Sequence, residues 1–308
     1  MHAIRDNYLD MMRTAVGTDY RERVLDTLQH LPPYSRTMTK LRAALANEWV
    51  DFRTLVPLVE ADVVIANTIL RIANSALYGR GSMASISRAM AMLGLSRLRN
   101  LILGLGLNQI CHKIPTPPGW PAKRFHFHSL ATAVVCDLLA VRVPVNGMDA
   151  AFSAGLFHDF GKLLIVTALP EQFVRIRTLQ GTSGLTGEEC EREVLGFTHS
   201  EISAEALRRS GMPTDLATAA LYHHHPEDDT TACEPDRPIR LSELVQAANS
   251  LASGLGYSIF PVEAPKPEEA LELAGAALAP MKSRLLNTPE LAGEFQELFG
   301  SLTAAMGI

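Results

Sequence analysis

Ala151-Phe152-Ser153-Ala154-Gly155-Leu156-Phe157-His158-Asp159-Phe160-Gly161-Lys162 is an apolar, small-residue run that closes on an adjacent His and Asp. Small and aromatic residues at this density predict a buried helix. The pattern predicts that Gly161 stops it, with Lys162 just beyond. Buried polar groups are tolerated only when they are hydrogen-bonded, paired or bound to a metal. His158 and Asp159 therefore need neighbours, and the rest of the chain is where they must be found.

Helical periodicity dominates on both sides of this stretch, and no alternating strand pattern stands out. The expected fold is all-α. Residues 1–30 predict one or two amphipathic helices, with Tyr8, Met11, Met12 and Ala15 at helical spacing. Leu31-Pro32-Pro33 breaks the chain. A short helix over Lys40–Asn47 follows. Asp51 and Asp62 are placed to cap the next two helices, and Ser85 to cap another that stops at Gly94. A further helix after Ser96 buries Leu98, Leu101, Ile102 and Leu105. Asn74, Ser75, Arg88, Arg97, Arg99 and Asn100 read as capping and solvated residues, with a phosphate- or partner-binding patch as the rival account.

Four prolines fall within Pro115-Thr116-Pro117-Pro118-Gly119-Trp120-Pro121, which reads as a linker. The expected organisation is an N-terminal helical subdomain over 1–114, the linker at 115–121, a second helical subdomain over 122–260, and a polar, Ala-rich helical tail over 261–308. In the second subdomain, Arg124–Val141 forms a helix carrying His128. Asp149 caps the helix of His158. Thr198 and Glu201 fit a capping box that puts His199 in a first helical turn. His223-His224-His225-Pro226 ends another helix, and Pro238 opens the one that carries Asn249.

The polar residues on the apolar faces of this half are His128, His158, Asp159, His199, His223 or His224, and Asn249. Imidazole and carboxylate suit Fe, Mn, Zn or Ni. Single ligands from several helices are how bundle-core metal sites are built. An ion held there could polarise a phosphate, with Lys162 neutralising a phosphate oxygen. The competing account treats each histidine as an ordinary hydrogen-bonded core or surface group, with His223–His225 serving a helix C-terminus. The residues alone leave both open.

The 308 residues carry 28 basic and 33 acidic side chains, a net charge of −5. That balance gives no general attraction to nucleic acid or to an anionic membrane. Met90–Leu107 is apolar but is interrupted by Arg97, Arg99 and Asn100, which predicts no membrane span. Cys111, Cys136, Cys190 and Cys233 are widely spaced and form no C-x-x-C pair. Reduced thiols and a cytoplasmic setting are the expectation, and Met1-His2-Ala3-Ile4-Arg5-Asp6 lacks the apolar run of a signal peptide.

Two regions then carry a specific resemblance. The first runs from Leu31-Pro32-Pro33 through Asn74-Ser75-Ala76-Leu77-Tyr78-Gly79 to Leu98-Arg99-Asn100-Leu101. The second runs from His128-Ser129 through His158-Asp159-Phe160-Gly161-Lys162, Phe197-Thr198-His199 and His223-His224-His225-Pro226 to Ala248-Asn249. In these the chain resembles HDOD domain proteins, non-classical relatives of the HD metal-dependent phosphohydrolases. The resemblance implies an all-α fold and a bacterial signalling role, as a regulatory output or interaction module without demonstrated hydrolysis. It implies signalling proteins as partners, and a nucleotide or phosphate as the class of small ligand. An active HD enzyme closes its metal site with a late Asp, and the matching position here is Asn249. A neutral amide there weakens both metal affinity and water activation. Cyclic-di-GMP phosphodiesterases of this group carry Gly-Tyr-Pro soon after their His pair, whereas Pro226-Glu227-Asp228-Asp229 stands here. Three readings follow: a non-catalytic signalling module, a metal-dependent phosphohydrolase acting on a nucleotide or phosphoester, and a metal or small-ligand sensor.

Overall fold

The computed structural model describes residues 19–47, 49–74, 83–261, 266, 269, 272, 274 and 288–307. Among these the fold is helical, and the one β-type contact is an isolated bridge between Val145 and Ile239. The expected helices around Tyr8–Ala15, and residues 75–79 of the Asn74–Gly79 segment, lie outside the described residues.

α1 is residues 19–26, where Arg21 pairs with Glu201 and the Tyr20 hydroxyl accepts from Gln172, both in the second half of the chain. α2 (Arg36–Leu45), α3 (Phe52–Glu60), α4 (Val63–Ala73) and α5 (Ile86–Lys113) follow. α2 starts earlier than its apolar stripe suggests, because Ser35 accepts the Met38 N–H and fixes the first turn. Asp51 and Asp62 cap as expected; Asp62 Oδ1 accepts from both Val64 and Ile65. Each such cap stabilises its helix by about 1 kcal/mol. Asn74 clamps the chain beyond α4, donating to Met83 O at 2.8 Å and accepting from Met83 N at 2.6 Å. Arg99 is not simply solvated: its Nε donates to Leu45 O and ties α5 to the end of α2.

α5 is one segment in two directions. Gly94 has φ +76 and ψ 167, a conformation that breaks the helix there. By length and mean hydropathy alone α5 is apolar enough to cross a membrane, yet half of its apolar window is buried inside the protein. The Pro-rich stretch joins α5 to α6 as non-helical chain, and the buried core is continuous across it.

α6 (Ala122–Ala140) is the axis of the second half. It is buried on every side, so it has no single apolar stripe. α7 (Ala151–Phe157), α8 (Phe160–Ala168), α9 (Pro170–Ser183), α10 (Gly187–Leu195), α11 (His199–Arg209), α12 (Thr214–Tyr222) and α13 (Leu241–Ala252) build up around it. Small residues set the close approaches. A Cβ on Gly155 would lie 2.8 Å from Ala133 Cα, so α7 rests directly on the α6 backbone.

Several sequence expectations are corrected at this level. Asp149 does not cap α7; it lies inside a 3-10 turn, and Ala150 precedes the helix without a side-chain cap. Gly161 does not stop a helix. The chain turns at His158-Asp159, and Gly161 sits within α8, where an added Cβ would collide with His199 O and lie 2.9 Å from Ser203 N. Gly161 N donates to Ser203 Oγ at 2.7 Å, stitching α8 to α11. Thr198 caps α11 through the Glu201 N–H, but the Glu201 carboxylate turns to Arg21 and Arg192 rather than closing a box. α13 opens at Leu241, not Pro238, because Ile239 is drawn into its bridge with Val145. The tail contributes α14 (Thr288–Met306), which packs on α4, α5 and α6 and buries Phe295 and Phe299.

Candidate metal centre

These packing contacts bring six of the sequence candidates together. His128 comes from mid-α6, His158 from the end of α7, Asp159 from the start of α8, His199 from the first turn of α11, and His223 and His224 from the end of α12. His128, His158, Asp159, His199 and His223 are all 4 % exposed or less.

Asp159 is the hub. Its Oδ2 lies 3.4 Å from His128 Nε2, 3.5 Å from His158 Nε2 and 2.8 Å from Lys162 Nζ. Its Oδ1 lies 3.1 Å from His199 Nε2 and 3.6 Å from His223 Nε2. The donors therefore form two sets, His128–His158–Asp159 and Asp159–His199–His223–His224, with the ligand atoms of each within 4.8 Å of one another. His223 and His224 both belong to the centre. Asn249 lies half-buried on α13, one turn from Gln246, whose amide donates to His224 O; Asn249 itself makes no hydrogen bond to the six.

The outer hydrogen bonds orient the rings. His128 Nδ1 meets Tyr257 O at 3.0 Å, His158 Nδ1 meets Gly155 O at 2.8 Å, and His223 Nδ1 meets Ala220 O at 2.8 Å. A carbonyl oxygen only accepts, so each of these rings carries its proton on Nδ1 when neutral. Their Nε2 lone pairs then face inward. His128 Nε2 and His158 Nε2 lie 3.3 Å apart. Asp159 Oδ1 and His223 Nε2 are buried without a hydrogen-bond partner; the His199 ring nitrogen, 3.1 Å from Oδ1, makes an ion-pair contact. Convergent lone pairs and an orphaned carboxylate oxygen fit a divalent cation, and imidazoles fixed by outer acceptors are the usual companions of such an ion.

Charge follows the same plan. Burial keeps His158, His223 and His224 below the ordinary histidine range. Burial opposes the charge on Asp159, but Lys162 and His158, with the rings of His128 and His199 close by, hold its carboxyl well below the usual range. Burial also opposes charge on His199, yet Glu191 and Asp159 raise it to about 9. Lys162 rests on Asp159 and offsets its charge.

Sequence reasoning passed over Glu191. Its Oε2 accepts both the backbone N–H and the Nδ1–H of His199, each at 2.7 Å. Glu188 stands beside it, accepting Ser200 Oγ at 2.6 Å and pairing with His225 at 3.2 Å. The available signal was an i, i+3 pair of acids on the face of α10 that also buries Cys190 and Leu195.

Comparison with known proteins agrees with this architecture. The family model described as HDOD domain matches residues 31–226, more than half of the chain. An HDOD domain protein of unknown function from Geobacter sulfurreducens superposes with a TM-score of 0.69 at 20% identity, covering 94% of this chain and 98% of that one. A Shewanella amazonensis protein provisionally named a phosphohydrolase gives 0.66 at 23% identity, covering 91% and 98%. An uncharacterised protein of Treponema pallidum (strain Nichols) is 22% identical over 204 residues, 66% of this chain and 39% of that protein. The chain thus spans about two fifths of the length of this curated relative.

Proposed function

Because this chain belongs to the HDOD domain family, we propose that it is a regulatory module of a bacterial signalling pathway, acting through a protein partner, with the buried His/Asp centre as a metal-dependent structural element rather than a site of turnover. The observation that carries this reading is enclosure: five of the six clustered residues are 4 % exposed or less. Little of the centre is open to a substrate, and its partly exposed edge is His224 and Lys162.

His128, His158, Asp159, His199, His223 and His224 would hold a divalent ion, and Fe, Mn, Zn and Ni all suit such a set. Bound there, the ion supplies Lewis acidity toward a phosphate oxygen. The chain's own residues supply the rest. Tyr257 O, Gly155 O, Ala220 O and Glu191 orient the rings. Lys162 balances the Asp159 charge. Asn249, where the enzymes of the HD group place an Asp, contributes no negative charge.

A second reading, a metal-dependent phosphohydrolase acting on a nucleotide or phosphoester, is favoured by one observation: the inward Nε2 set is complete and already oriented. The deciding experiment assays the purified full chain, loaded with Mn2+ or Fe2+, against phosphomonoesters, phosphodiesters and nucleotides. Divalent-ion uptake without turnover is expected. Turnover abolished by His158→Ala and Asp159→Ala would replace the regulatory reading with the second one.

A further inference from the structure

His128 is held from outside the centre by a short irregular segment. Arg124 and His128 stand at i and i+4 on α6. Arg124 Nε donates to Ser258 O at 3.0 Å, Arg124 Nη2 to Gly256 O at 3.1 Å, and His128 Nδ1 to Tyr257 O at 3.0 Å. Two side chains thus grip three successive carbonyls at the end of a single π turn, Ser253–Tyr257, which follows α13. Such turns break the regular helix ladder and release backbone groups for other partners.

The ring of Tyr257 is held by α14. Its centroid lies 4.5 Å from that of Phe299 and 5.4 Å from that of Phe295. Phe295 and Phe299 stack on each other at 5.2 Å, and Phe299 also meets Phe127 of α6 at 6.0 Å. The same residue therefore gives its carbonyl to His128 and its ring to α14. Aromatic pairs in these geometries add roughly 0.5–1.5 kcal/mol each beyond burial.

We infer that α14 is a positioning element for the metal centre: seating Phe295 and Phe299 on Tyr257 fixes the carbonyl that sets the His128 tautomer, so docking of α14 and filling of the His128–His158–Asp159 set are coupled. This inference rests on the metal-centre reading above. Without Tyr257 O, the His128 ring can move its proton to Nε2 and lose its inward lone pair. Loss of an outer acceptor of this kind typically weakens metal affinity about 10–100-fold. The coupling is reciprocal, so an ion on His128 also holds α14 down. α14 in turn lies against α4, which connects the centre to the surface groove lined by Asn67, Arg71, Glu297 and Ser301.

The test uses the full chain, stripped with chelator and titrated with Mn2+, in the wild type and in Phe295→Ala/Phe299→Ala. Leu41→Ala, a fully buried core position on α2, serves as a control for general loss of stability. Nitrogen-resolved NMR of the histidine rings reports the His128 tautomer in the metal-free state, and hydrogen exchange reports α14. The double variant should lose about tenfold or more in Mn2+ affinity and show mixed His128 tautomers, with Leu41→Ala changing neither. Mn2+ should slow exchange in α14 of the wild type. Wild-type affinity and an unchanged His128 tautomer in the double variant would overturn the inference, as would an equal loss in Leu41→Ala. A wild-type chain that takes up no metal would remove the metal-centre reading, while the tautomer comparison would still decide whether α14 positions His128.

Discussion

Glu191 Oε2 lies 2.7 Å from His199 Nδ1 and 2.7 Å from the His199 backbone nitrogen, so one carboxylate oxygen fixes both the ring and the start of α11. Glu191→Gln removes the charge that opposes burial at His199. The His199 pKa, about 9 with Glu191 in place, should fall toward or below the ordinary histidine value. NMR titration of the ring reads this directly. An unchanged value would mean that Asp159 alone sustains the charge.

The metal-free chain should be most stable near pH 6.5. His158, His223 and His224 have depressed pKa values, and His126 is lowered to about 4 by burial and by His112. Below about 6.5 the unfolded chain binds protons that these folded rings refuse. Each such ring then costs about 1.4 kcal/mol per pH unit while it stays neutral. His199 acts oppositely: its raised pKa contributes stability that is complete below about 6.5 and is lost as pH rises through about 9. Urea midpoints from pH 5 to 9.5 should trace both limbs, and Glu191→Gln should flatten the alkaline one.

Asp159 belongs to both donor sets, so its loss should empty both. Asp159→Asn is expected to abolish Mn2+ uptake altogether and to cost about 3 kcal/mol, as when one partner of a buried charge network is removed. His128→Ala should spare the set built on His199, His223 and His224. Binding stoichiometry, measured calorimetrically, separates the two outcomes. Equal loss in both variants would argue for a single undivided site.

Asn249→Asp adds a carboxylate at a position whose side chain has no hydrogen bond to break. Divalent-ion affinity should tighten roughly tenfold, about 1.4 kcal/mol, a modest share of one charge interaction at a few Å. Unchanged affinity would place residue 249 outside the reach of the ion.

Gly161→Ala should be among the most damaging single changes in the second half. The new methyl would meet backbone atoms of His199 and Ser203, which cannot swing away as a side-chain end can. A loss of about 3 kcal/mol or more is expected from thermal unfolding. The variant should also lose metal uptake, since α11 carries His199.

Local signals in the sequence translated well. Asp51, Asp62 and Ser85 cap where they were expected, because a cap is decided within four residues. The clustered histidines and Asp159 were legible as polar residues on apolar faces. Other features depend on which helix meets which. α6 has no apolar stripe because it is surrounded, and Gly161 looks like a helix stop until α11 is laid against it. Glu191 is hidden in a helix rich in charge, where an acid ordinarily reads as solvated. The division of the donors into two sets sharing Asp159 arises from ring orientations, which are set by carbonyls distant in sequence.

Gly94 and Gly161 constrain sequence drift for opposite reasons. At Gly94 there is open space, but φ +76 with ψ 167 is a backbone region that essentially only glycine occupies, so every other residue is excluded by conformation. At Gly161 the backbone is helical but an added Cβ would have no room, so every other side chain is excluded. A collection of diverged descendants of this chain should therefore keep glycine at both residues, at 94 for its conformation and at 161 for want of space.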